Sequence, residues 1–92
     1  MELYKELIEK YGKKQVIVCI EELGELQKEL CKYLRKGYTS DELKENIVEE
    51  MADVYIMLEQ MKLYFNINED RIANEILNKN KRTELRLKND KL

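Results

Sequence analysis

Residues 14–36 read KQVIVCIEELGELQKELCKYLRK, and the spacing within them decides the fold. Val16, Ile20, Leu23, Leu26, Leu30 and Leu34 recur every three or four residues, the period of one helical face. No proline interrupts the segment, so a helix begun at Lys14 runs on until Gly37. Gly37 suits the left-handed residue that closes a helix, and Arg35 and Lys36 suit the negative end of its dipole. The expected helix over 14–36 is roughly 35 Å long at ~1.5 Å per residue.

Outward from this segment the same grammar repeats. Upstream, Leu3, Leu7 and Ile8 mark a short helix over about 2–11 that stops near Gly12. Downstream, Thr39-Ser40-Asp41-Glu42 has the form of a capping box and opens a helix to about Phe65. Asn66 and Asn68 break that pattern, and Asn68 followed by Glu69 and Asp70 starts a fourth helix. The two long central helices, joined by a short turn, are expected to form an antiparallel hairpin. The third helix is apolar nearly all round: Ile47, Met51, Val54 and Leu58 share the chain with Ile56, Met57, Leu63 and Tyr64. Such a helix needs burial on several sides, more than a 92-residue chain supplies. The expected fold is therefore all-α, a four-helix-type bundle in a single domain over 1–92, completed by assembly into a homodimer or a dimer of dimers.

Composition narrows the function. The chain has 17 basic and 19 acidic side chains, net −2, which argues against nucleic acid as a partner. It has no histidine, so Ser-His-Asp, Cys-His and His-ligated zinc chemistry are all excluded. Cys19 and Cys31 form no CxxC motif and read as two reduced core thiols of a cytoplasmic protein. No apolar run approaches the roughly eighteen residues a membrane span needs, and MELYKELIEK has no signal-peptide core.

The carboxylates carry whatever chemistry remains. Glu21-Glu22-Leu23-Gly24-Glu25 lies on the second helix and Glu49-Glu50-Met51-Ala52-Asp53 on the third. Glu22 and Glu25 are three apart, as are Glu50 and Asp53, so each pair projects from one helical face. Neither stretch contains the lysine that a solvated helix normally interleaves. Four acids facing one another across a hairpin repel unless a cation sits between them. Oxygen-only ligands favour a hard cation, Mg²⁺, Mn²⁺ or Ca²⁺, and Mg²⁺ commonly shares its coordination with substrate phosphate. Gly24 costs a helix interior ~1 kcal/mol against alanine, which suggests a close backbone approach beside the site. The competing reading is a non-enzymatic helical interaction or regulatory protein whose acids are solvated faces.

At these motifs the chain resembles the MazG-like nucleotide pyrophosphohydrolases of the all-α NTP pyrophosphatase superfamily. That family is marked by EExxE on one helix and ExxD on the next, matched here by Glu21-Glu22-Leu23-Gly24-Glu25 and Glu50-Met51-Ala52-Asp53. The surrounding VCIEELGELQKELCKYLRKG and NIVEEMADVYIMLEQMKLYF are similar to the small phage- and Firmicute-type members. A closing KxKR with a following arginine is matched by Lys79, Lys81, Arg82 and Arg86. The resemblance implies Mg²⁺-dependent cleavage of a nucleoside triphosphate between the α and β phosphates, giving monophosphate and pyrophosphate. It carries the metal ligands onto Glu22, Glu25, Glu50 and Asp53. Glu21, and on the other helix Glu49, are the candidates for orienting or deprotonating the attacking water, although adjacent helical residues point about 100° apart. The last stretch is basic: residues 1–70 carry net −6 and residues 71–92 net +4. Lys79, Lys81 and Arg82 are accordingly candidates for countering triphosphate charge.

Overall fold

In a computed structural model, which describes residues 1–89, the chain is four helices and no strand among the described residues. They are α1 (Glu2–Tyr11), α2 (Lys14–Lys36), α3 (Asp41–Tyr64) and α4 (Glu69–Lys88). The ends follow local chemistry. Gly37 closes α2 at φ 75°, donating its N–H to the Tyr33 carbonyl at 2.8 Å. Ser40, not Thr39, caps α3: its Oγ accepts from the Leu43 N–H at 3.1 Å. The expected capping box is therefore only half made, because Leu43 holds the place of the reciprocal glutamate and is buried instead. Asn66 takes φ 53° in the α3–α4 link, and Asn68 caps α4 by accepting from the Asp70 N–H at 2.7 Å.

α2 and α3 supply most of the tertiary packing, with α1 against both. The pairings run in opposite order along the two long helices. Gln15 near the start of α2 donates to Gln60 near the end of α3, while Lys32 and Lys36 share a cleft with Ser40, Leu43 and Asn46. α4 is different: its contact with the rest of the chain is sparse. The radius of gyration is accordingly 16.7 Å, against about 12 Å for a compact chain of this length.

Only Val16 and Leu26 of the apolar stripe that the α2 sequence advertises are packed, and both are half-buried. Ile20 is 64% exposed and Leu34 75%, and Leu23 and Leu30 are exposed as well. The residues turned toward α3 are Gln15, Cys19, Glu22, Leu26 and Glu29, every one buried or half-buried. α3 likewise turns Leu43, Glu50, Met57 and Gln60 inward and leaves Val48, Met51, Tyr55 and Leu58 exposed. Each central helix thus has two useful faces, and the chain closes on the more polar one. Cys19 is a buried free thiol as expected, but Cys31 is exposed, because it lies on the back of α2 away from α3. No described helix is long and apolar enough to cross a membrane.

Candidate metal centre

Gln15, Glu22 and Glu29 are seven residues apart, two helical turns at a time, so α2 presents all three to α3 in one row. Each meets a different solution to the problem of a polar group in a helix interface. Gln15 is satisfied by the Gln60 side-chain oxygen at 2.7 Å, an amide pair that leaves no charge to balance. Glu29 is buried and forms an ion pair with Lys32 Nζ at 2.9 Å, one turn along its own helix. The Lys32 hydrogen bond holds the Glu29 carboxyl below the ordinary carboxylate range, against its desolvation, with Lys32 charge, Asn46 of α3 and Lys28 adding to the effect.

Glu22, in the middle of the row, has no such partner among the described residues. Its carboxylate meets Glu50 and Asp53 of α3, and one oxygen from each lies within 4.8 Å of the others. Desolvation pushes the Glu22 carboxyl above its ordinary range, and the Asp53 and Glu50 charges add to the rise. Glu50 is raised in the same way, by desolvation first and then by Asp53 and Glu25. Its Oε2 is buried without a hydrogen-bond partner among the described residues. A buried acceptor with nothing to accept, beside two further carboxylates, is a donor set that fits a hard cation.

The structure brings together three of the four residues expected as ligands. Glu25 stands just outside the group, its side chain 54% exposed and 4.0 Å from Lys28 Nζ. It still adds repulsion to both Glu22 and Glu50, so it borders the cluster. Glu21 is exposed and is not one of the three clustered acids. Gly24 has nothing within 4 Å of where a Cβ would stand, so the close helix approach expected there is not made within one chain. Lys79, Lys81 and Arg82 are exposed on α4. Lys79 lines a groove with Phe65, Ile67 and Ile72, and Lys81 one with Glu84, Leu85 and Lys88; neither groove includes an acid of the cluster.

Glu29 was absent from the expected site, yet it occupies the same row. Its seven-residue offset from Glu22 is visible in the sequence, as is Lys32 three residues on, the feature that neutralises it. The chain matches no family model, no curated protein and no solved structure.

Proposed function

We propose that the chain is a Mg²⁺-dependent nucleoside triphosphate pyrophosphohydrolase, releasing monophosphate and pyrophosphate. The observation that carries this reading is the Glu22–Glu50–Asp53 cluster: three carboxylates within 4.8 Å, with no ion pair of their own among the described residues. Glu22, Glu50 and Asp53 would hold the metal, with Glu25 at the border of the set. A Mg²⁺ held there would supply neutralisation of phosphate charge and acidification of a water nucleophile. The chain's part is positional. The two helices hold the carboxylates close before substrate arrives, and the half-buried seam keeps their field from being screened by bulk water. Glu21, on the exposed side of α2, is the acid available to orient a water from outside the cluster.

The antiparallel α2–α3 hairpin is the rigid unit of this reading, and a homodimer or dimer of dimers is its working form, supported by the exposed apolar faces of both helices. The same exposed faces also favour the alternative, a non-enzymatic helical interaction protein. Incubating the protein with a panel of canonical and damaged nucleoside triphosphates separates the two. The enzyme reading expects pyrophosphate, rather than orthophosphate, to be released with Mg²⁺ or Mn²⁺ and not with EDTA. Failure to cleave any triphosphate in the presence of either metal leaves the interaction protein.

A further inference from the structure

A folded chain of 11.1 kDa ordinarily exposes about 5,700 Å²; this one exposes 7724 Å². The excess, about 2,000 Å² per chain, is of the size that obligate interfaces cover. α4 shares in it: every residue of the helix but Ile72 is exposed. This helix of 20 residues touches little of its own chain, yet helices in proteins draw most of their stability from packing an amphipathic face. Between α3 and α4 lies an open V of about 420 Å³, lined mostly by Tyr55, Leu58, Met61, Ile67, Ile72 and Ile76.

The charge along α4 says what fits there. Its first part, residues 69–76, has Glu69, Asp70 and Glu75 against Arg71, net −2; residues 77–88 have Lys79, Lys81, Arg82, Arg86 and Lys88 against Glu84, net +4. A helix acidic at one end and basic at the other is complementary to itself when two copies run antiparallel. We infer that α4 is an exchange arm: the V between α3 and α4 of one chain receives α4 of a second copy, the two α4 helices crossing antiparallel about a two-fold axis. The arrangement covers the Ile72–Ile76 face of each arm and the Tyr55–Leu58 face of each α3. With the helices in full overlap, Glu75 comes level with the partner's Arg82 and Glu69 with the partner's Lys88. This inference rests on the oligomeric part of the reading above and is independent of its chemistry.

Zero-length carboxylate–amine cross-linking of the full chain tests it. Within one helix Glu69 and Lys88 are about 28 Å apart at ~1.5 Å per residue, so a bond between them joins two chains. The expected product has twice the chain mass and links Glu69 or Asp70 to Lys88. Glu75→Lys should weaken assembly roughly tenfold or more, and Glu75→Lys with Arg82→Glu should restore it. An oligomer by light scattering that yields no such link overturns the α4 pairing while leaving the oligomeric reading intact. A monomer at tens of micromolar overturns both.

Discussion

Glu29 and Glu22 lie two helical turns apart on one face of α2, against one helix, yet they live in opposite electrostatic worlds. Glu29 has Lys32 at 2.9 Å, and its carboxyl is held low. Glu22 has Glu50 and Asp53, and its carboxyl is driven up together with that of Glu50. Burial desolvates both sites, so burial is not the difference. The difference is whether the chain brings its own cation. At Glu29 a lysine one turn away does so; at Glu22 the nearest α2 residues on that side are Cys19, Glu25 and Leu26, and α3 adds two more acids. Among the described residues the chain therefore neutralises one acidic position itself and not the other.

Breaking the contrast at the open position should have the largest effect. Glu22→Gln or Asp53→Asn preserves shape and removes one ligand charge, so pyrophosphate release should fall by roughly a hundredfold or more while the helical content is kept. With repulsion relieved, the metal-free variants should melt no lower than the parent. Turnover close to the parent's in either variant would remove that residue from the ligand set.

At the closed position Lys32→Gln takes away the internal cation. Glu29 then becomes a second unneutralised carboxylate in the seam, and its pKa should move from below to above the ordinary value. The expected result is a melting temperature several degrees lower, recovered by Lys32→Arg, with pyrophosphate release at saturating Mg²⁺ little changed. If Lys32→Gln melts like the parent, Glu29 is held by something other than the ion pair.

The pH dependence sharpens the same contrast with a smaller signal. Glu22 and Glu50 have folded-state pKa values raised above the ordinary 4.5, so the metal-free folded chain holds more protons than the unfolded one in that range. Their contribution to stability is thus greatest at low pH and is lost as pH rises through the raised values. Glu29 works the other way: its contribution is present above its unfolded pKa and is lost as pH falls through the lowered one. Melting curves against pH should show the first effect disappear in Glu50→Gln and the second in Lys32→Gln. A Glu50→Gln profile superimposable on the parent's would mean that Glu50 is not strained by its neighbours.

Helix boundaries were legible because they depend on local signals. Gly37 and Asn68 sit where the chain needs a left-handed or capping residue, and no tertiary contact overrides them. The pairing of Glu22 with Glu50 and Asp53 was legible from the missing lysines. What the sequence concealed was which face of α2 turns inward. A 3–4 stripe reports an apolar face but not what covers it, and here Ile20, Leu23, Leu30 and Leu34 point away from α3. The same gap explains Cys31, apolar by context yet exposed, and Gly24, open where a helix contact was expected. The sparse packing of α4 was equally hidden, since its amphipathic pattern alone does not say on which chain its apolar residues find cover.

The most direct test of the open acidic position is Mn²⁺ binding followed by electron paramagnetic resonance, on the metal-free parent, Glu50→Gln and Lys32→Gln. The account predicts saturable binding to the parent, strong weakening in Glu50→Gln, binding retained in Lys32→Gln, and competition by Mg²⁺ in every chain that binds. A parent that leaves the free Mn²⁺ signal undiminished, or a Glu50→Gln chain that quenches it equally, would contradict the claim that these three carboxylates await a cation.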